Sequence, residues 1–134
     1  MFIILSCHFS DDLKVDMRNF REITIWEEGM NLAVEVYKIT KIFPREEEYS
    51  LKSQLRRAAV SIPSNIAEGC SRASQKEFKH YLEISLGSAF EIETDIVLAQ
   101  RLSMISENDT STFLELLHIQ QRRTNALIMK VKKF

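Results

Sequence analysis

A proline inside a helical apolar pattern constrains this chain more than any other feature. It lies in residues 61–79, SIPSNIAEGCSRASQKEFK, where Pro63 follows apolar residues at helical spacing. A proline within a helix removes one backbone donor and crowds the preceding turn, so the sequence predicts a kink there. Gly69 is predicted to end that helix in the left-handed conformation. Ser74 and Glu77 then form a predicted capping box that begins another helix.

The composition favours a few long helices. Three glycines and two prolines among 134 residues leave few positions for turns, which argues against a β-sandwich. A hydrophobic content of 45% with 28% charged residues is typical of one soluble globular domain. We assign that domain to residues 17–134 and interpret residues 1–16 as a loosely ordered N-terminal extension, with an upstream start codon as a hypothesis for its origin.

The first half of the domain predicts two helices. Helix 1 covers about residues 25–43, opened by a capping box of Thr24 and Glu27 and ended before Pro44. It carries a second apolar stripe beside the first, which indicates a helix covered on two sides. The next helix begins near Leu51, and its predicted inner face comprises Leu51, Leu55, Ala58, Ala59, Ile62 and Ile66.

The second half predicts two more helices. Helix 3 covers residues 75 to about 105, and helix 4 begins between Asp109 and Thr112, with Thr112 and Glu115 as a further capping box. Four helices joined by short connections predict an all-α fold, an up-down-up-down four-helix bundle with a proline-kinked second helix.

The sequence contains no recognisable pattern of catalytic residues. The chain has no P-loop, no glycine-rich dinucleotide turn, no HExxH and no nucleophile elbow. None of Glu91, Glu93 and Asp95 itself begins a Glu-x-x-His motif of the kind found in di-iron bundles, and a solvated or salt-bridged face is the preferred interpretation. We therefore expect no catalytic residue, no cofactor and no metal, and a metal-dependent enzyme ranks last among the alternatives.

Basic residues suggest another kind of site. The net charge is -1, so nucleic-acid binding would need a local patch or one built by assembly. The candidates for phosphate contact are Arg56, Arg57, Arg72, Lys76 and Lys79. Scattered basic residues on helices are more often solvated surface, and that alternative stays open.

The segment after Pro63 also has two interpretations. In one, Asn65 satisfies groups at the kink and Glu68 pairs with Arg72 or Lys76; in the other, Asn65, Glu68 and Arg72 form a polar site. The widely separated Cys7 and Cys70 form neither a disulfide pattern nor a zinc motif, which favours reduced thiols in the cytoplasm. No stretch is long and apolar enough to span a membrane.

The run RRAAVSIPSNIAEG at residues 56–69, followed by Arg72, Ser74 and the Lys76-Glu77-Phe78 triplet, is specific. With it, residues 20 to 132 resemble the small bacterial four-helix-bundle proteins known as 23S rRNA intervening-sequence proteins. The family is related to the accessory variability determinant of diversity-generating retroelements, a pentamer that binds nucleic acid and a reverse transcriptase. The resemblance implies a homopentamer with no established enzymatic activity.

Two hypotheses about function follow. The first is a non-enzymatic homo-oligomer that acts as an RNA- or DNA-associated accessory protein. The alternative is a protein-interaction scaffold for a partner enzyme such as a reverse transcriptase, with no direct role in nucleic-acid binding.

Overall fold

A computed structural model describes residues 18–131, and the proposed extension at residues 1–16 lies outside them. This part of the chain forms four α-helices and two short 3₁₀-helices, Phe20–Glu22 and Arg45–Glu47. The α-helices are α1 (Thr24–Thr40), α2 (Leu51–Cys70), α3 (Gln75–Arg101) and α4 (Glu107–Val131). None of them has the length and hydropathy that crossing a membrane requires.

The helices pack in ring order. Close backbone approaches join α1 to α2, α2 to α3, α3 to α4 and α4 back to α1, while the Cα atoms of the diagonal pairs among the described helices stay more than 8 Å apart. Short connections make each helix antiparallel to the next, which confirms the predicted all-α four-helix bundle. The start of α1, the end of α2, the start of α3 and the end of α4 therefore lie at one end of the bundle.

The core follows the helical periodicity of the sequence. All six predicted inner-face residues of α2 are buried, and Leu55, Ala59, Ile62 and Ile66 are fully inaccessible. They pack with residues such as Leu32, Leu82 and Leu117 from the other three helices. Burial of a single such side chain contributes roughly 1.5–3 kcal/mol, so this shared core is the main source of stability.

Small side chains let α2 approach its neighbours closely. The Ser85 hydroxyl donates to the Ile62 carbonyl at 2.9 Å, and the Ser61 and Ser88 hydroxyls lie 2.8 Å apart. At Gly29 of α1, an added Cβ would lie 2.9 Å from Ile62 Cγ2. The Ile62 carbonyl and the Ser61 hydroxyl, which lie next to Pro63, therefore have partners on α3.

The role predicted for Gly69 is wrong. No glycine among residues 18–131 has a positive φ, and α2 continues through Gly69 to Cys70 with Ser71 as its C-cap. Gly69 is instead needed for space, because an added Cβ would lie 2.9 Å from Tyr81 Cβ and 3.3 Å from Phe78 Cδ1 on α3. Since α2 is assigned without a break across Pro63, the kink stays a prediction.

The predicted start and end of α1 are corrected by the structure. The N-cap is Ile23, and no side chain caps α1, so the Thr24 capping box is wrong. Thr24 already belongs to the helix, which places its hydroxyl beyond the cap position. The helix ends at Thr40, before the expected Phe43, and Phe43 is nevertheless buried in the core.

The connection between α3 and α4 also differs from prediction. Helix α3 ends at Arg101 because Ser103 adopts φ 64° and the Met104 amide donates to the Ala99 carbonyl at 2.9 Å, a Schellman turn. Helix α4 begins at Glu107, where the Ser106 hydroxyl accepts from the Asp109 amide at 3.0 Å. The Thr112 capping box is therefore wrong.

Candidate nucleic-acid interface

The structure brings three of the five candidate basic residues together where α2 turns into α3. Arg72 lies in the connection, and Lys76 and Lys79 lie in the first turns of α3. Arg18 and His80 lie beside them, and we call Arg18, Arg72, Lys76, Lys79 and His80 the basic end. The local backbone is set by Ser74, whose hydroxyl accepts from the Glu77 amide at 3.1 Å and confirms the predicted cap.

Arg72 is held by α2 and α3 together. Its Nη2 donates to Glu68 Oε2 at 2.7 Å and to the Tyr81 hydroxyl at 2.9 Å, and its guanidinium lies 4.9 Å from the centre of the Tyr81 ring. Tyr81 and then Glu68 raise the pKa of Arg72 above its ordinary value. The position of the guanidinium is therefore defined, and Glu68 already compensates part of its charge.

Arg18 is a member of the basic end that the sequence analysis missed. Its Nη2 donates to Gln75 Oε1 at 2.9 Å and its Nη1 to the Arg72 carbonyl at 3.4 Å, while its guanidinium lies 4.1 Å from the centre of the Phe78 ring. No local pattern marks Arg18, because its neighbours at the α2–α3 turn are more than fifty residues away in sequence.

The lysines of the basic end remain accessible to different extents. Lys76 is exposed, and its side chain has no hydrogen bond or ion pair within residues 18–131. Lys79 is partly buried and forms an ion pair with Glu83 at 3.7 Å. Exposed pairs of this kind are worth little, so a phosphate could compete for Lys79.

Arg56 and Arg57 lie elsewhere, about 20 Å from Arg72 along α2. Arg56 donates to Thr40 Oγ1 at 2.8 Å and to the Tyr37 carbonyl at 3.3 Å, and it stacks on the Tyr37 ring, so it caps the end of α1. Arg57 is exposed and lies 3.6 Å from Glu91 of α3. Phosphate contact by these two residues stays a prediction.

The segment after Pro63 divides into two hydrogen-bonded groups. The Asn65 amide donates to the carbonyl and hydroxyl of Ser61, within α2. Glu68 instead pairs with Arg72, one of the two predicted partners. The hydrogen bonds therefore place Asn65 with the Ser61–Ser88 pair rather than in a common site with Glu68 and Arg72.

The three carboxylates of α3 occupy different environments. Glu91 pairs with Arg57, and Glu93 bonds to Gln121 at 3.0 Å and to His118 at 3.1 Å. The Gln121 bond lowers the pKa of Glu93. Asp95, however, is only 7% exposed and has a buried carboxylate oxygen with no hydrogen-bond partner, so the predicted solvated face is wrong at this residue. No group of three or more potential metal ligands occurs in the described chain.

Replacing Asp95 with asparagine should change the pH dependence of stability. Burial, followed by repulsion from Glu91, raises the pKa of Asp95 above 3.8, so the folded protein holds this proton more tightly than the unfolded chain. Ionisation therefore costs stability at neutral pH. We expect Asp95→Asn to raise Tm at pH 7, with an advantage that shrinks as pH falls through the folded pKa and vanishes below 3.8.

Thermal melts of both proteins across acidic and neutral pH would measure this difference. Glu115→Gln is the matched control, because Glu115 is an exposed carboxylate on α4 that does not contribute to the raised pKa of Asp95. It should change Tm much less at pH 7. An Asp95→Asn variant with the wild-type Tm at every pH would contradict the interpretation.

Both the sequence and the fold of this chain are similar to those of known proteins. A family model described as 23S rRNA-intervening sequence protein matches residues 21–126. The fold is similar to a crystal structure of a protein of unknown function from the S23 ribosomal protein family of Bacteroides thetaiotaomicron VPI-5482. The TM-score is 0.71 at 22% identity, covering 78% of this chain and 98% of that one. Neither description names an enzymatic activity. A search of curated proteins found no match.

Proposed function

Because the chain belongs to the 23S rRNA-intervening sequence protein family, we propose that it is a non-enzymatic accessory protein that binds the phosphate backbone of RNA or DNA. Its site is the basic end, with Arg57 as an additional contact along α2. The protein acts in the cytoplasm of a bacterium as a homo-oligomer, with five copies implied by the resemblance.

One observation carries this proposal. Three of the basic residues predicted from the sequence lie at the same end of the bundle, namely Arg72, Lys76 and Lys79. Arg18 lies beside them, where it bonds to the Arg72 carbonyl and to Gln75. Backbone phosphates are bound by several cations acting together, and affinity then depends strongly on their number. In a single copy, the carboxylates of Glu68, Glu77 and Glu83 offset part of the positive charge of the basic end. Repetition of the patch in an oligomer would multiply the contacts.

Fluorescence anisotropy of the full chain with structured RNA and with duplex DNA tests the proposal across a salt series. We expect affinity to fall steeply with salt and to differ little between unrelated sequences, because phosphate contacts carry no sequence information. An absence of binding at low salt would overturn the nucleic-acid function.

Replacing Lys76 and Lys79 with uncharged residues tests whether the basic end is the binding site. We expect Lys76→Gln combined with Lys79→Gln to weaken duplex binding uniformly and to reduce the salt slope by about 2. The control is Arg45→Gln combined with Arg101→Gln, which removes the same charge from exposed positions at the other end. An equal loss in both double variants would show that only net charge matters and would reject the basic end as the site.

A scaffold for a partner enzyme is the second candidate, and one observation favours it. An open apolar groove with a volume of about 920 Å³ lies between α1 and α2. Surface grooves of this kind accommodate protein helices. A protein that binds no nucleic acid at low salt but forms a stoichiometric complex with a reverse transcriptase would support the scaffold instead.

A further inference from the structure

Aromatic rings lie among the cations at the basic end. Phe20 and Trp26 come from the start of the domain, and their ring centres are 5.1 Å apart in an edge-to-face arrangement. Tyr81 comes from α3, where its ring centre lies 5.8 Å from that of His80. Phe20, Trp26 and Tyr81 are only partly buried, so each residue keeps accessible surface. We call these three residues the aromatic strip.

Arginine guanidinium groups lie over the aromatic strip. The Arg21 guanidinium is 5.6 Å from the centre of the Phe20 ring and 5.8 Å from the centre of the Trp26 ring. The Arg72 guanidinium is 4.9 Å from the centre of the Tyr81 ring. The quadrupole of each ring attracts the cation above it. Because rings and guanidinium groups are both flat, each offers a surface on which a nucleobase can stack.

A further cation lies between the two parts of the aromatic strip. The Arg18 amide donates to the carbonyl of Cys70, the last residue of α2, at 3.2 Å. On the α1 side of this point, Trp26 lines the groove between α1 and α2. On the α3 side, Tyr81 packs against Gly69. Rings and positive charges therefore alternate across the end of α2, and a polymer that crosses it would meet both.

Unpaired nucleic acid is the ligand that can use both kinds of group. The bases of a duplex are stacked on one another, so their faces cannot reach rings on a protein surface. Proteins that bind single strands combine cations along the backbone with aromatic rings on which successive bases stack. Loops and bulges of RNA are recognised in the same way. The alternation at the basic end follows this pattern, and phosphate contact alone would not require the rings.

We propose that the basic end binds unpaired segments of RNA or DNA, with bases stacked on the aromatic strip and phosphates held by Arg18, Arg72 and Lys76. The inference rests on the phosphate-binding function proposed above and names the form of nucleic acid that the site prefers. Every base has a face that can stack, so the preference is for unpaired strands and not for a sequence.

Intrinsic fluorescence tests this proposal directly, because Trp26 is the only tryptophan in the chain. We expect single-stranded oligo-dT and oligo-U to quench the fluorescence of the full-length protein as they bind, since a stacked base contacts the indole. Duplex DNA of the same length should bind with little quenching. Free tryptophan amide, titrated in parallel, corrects for light absorbed by the bases. Equal quenching by single strands and duplex would overturn the preference for unpaired strands.

Removing the indole tests its contribution to affinity. We expect Trp26→Leu, which keeps an apolar side chain, to weaken oligo-dT binding about 5- to 100-fold in anisotropy, the value of one base–aromatic stack. Duplex affinity should stay nearly unchanged. The matched control is Tyr49→Leu, which removes a 95% exposed ring from the connection between α1 and α2 at the opposite end. It should change neither affinity.

The outcomes separate this inference from the proposed function. Binding of single strands without quenching in the wild type, or an unchanged oligo-dT affinity in a folded Trp26→Leu variant, would overturn base stacking and leave the phosphate-binding function intact. No binding of single strands, structured RNA or duplex at low salt would overturn both. The quenching measurement uses the wild-type protein, so it decides the proposal even if circular dichroism shows that Trp26→Leu does not fold.

Discussion

Replacing Gly69 with alanine is expected to lower the free energy of unfolding by about 1–3 kcal/mol, as overpacking of a close helix contact does. The added methyl group would lie 2.9 Å from Tyr81 Cβ and 3.3 Å from the Phe78 ring. Tyr81 Cβ is attached directly to the α3 backbone, so the clash cannot be relieved by rotating the end of a side chain. Helices α2 and α3 must separate, or the Tyr81–Arg72 contact must break.

Gly87→Ala is the matched control for this experiment. Gly87 lies inside α3, and an added Cβ there would have no atom within 4 Å. The same substitution should therefore raise stability by about 1 kcal/mol through helix propensity alone. Urea unfolding monitored by circular dichroism, at one protein concentration, would measure both variants. Equal changes of the same sign would contradict a packing role for Gly69.

Arg56→Gln is expected to cost about 1.5–3 kcal/mol, the range for hydrogen bonds made by a charged group. The wild-type guanidinium bonds to Thr40 Oγ1 at 2.8 Å and to the Tyr37 carbonyl at 3.3 Å, and it covers the Tyr37 ring at 4.4 Å. These contacts satisfy acceptors at the end of α1 and tie that end to α2. Glutamine is too short and lacks the charge that makes the bonds strong.

The adjacent arginine provides the comparison. Arg57→Gln removes an exposed ion pair with Glu91 and should cost less than about 1 kcal/mol. Urea unfolding would rank the two variants, and anisotropy would report nucleic-acid binding by each. We expect Arg57→Gln to weaken binding more than Arg56→Gln does at conditions where both are folded. A stability loss as large for Arg57 as for Arg56 would contradict the capping role.

The architecture of this protein could be predicted from its sequence to a large extent. Apolar periodicity identified four helices, and the inner face predicted for α2 is the buried one. Helix ends were less predictable. The Ser74 cap is present, but the similar Thr24 and Thr112 patterns are not caps, because Thr24 is already the first residue of α1 and Thr112 lies within α4, which begins at Glu107. A capping motif reflects a local preference. It does not determine at which of two nearby residues a helix begins once the helices are packed together.

The candidate site was predictable only in part. Arg72, Lys76 and Lys79 are close in sequence, so the prediction that they cluster needed only a turn and the start of a helix. Arg18 joins them through contacts across more than fifty residues, and no local pattern signals such a contact. Burial of Asp95 was likewise missed, because its spacing fits an exposed face as well as a buried one.

The sequence by itself determined the helical fold, the core positions and the family, since these depend on periodicity and on a specific run of residues. Only the tertiary structure decided what Gly69 and Arg56 do. Gly69 packs against Tyr81, and Arg56 caps α1. It also decided that the second apolar stripe of α1 stays open as a groove. These properties arise from distances between helices, which local residue preferences do not encode.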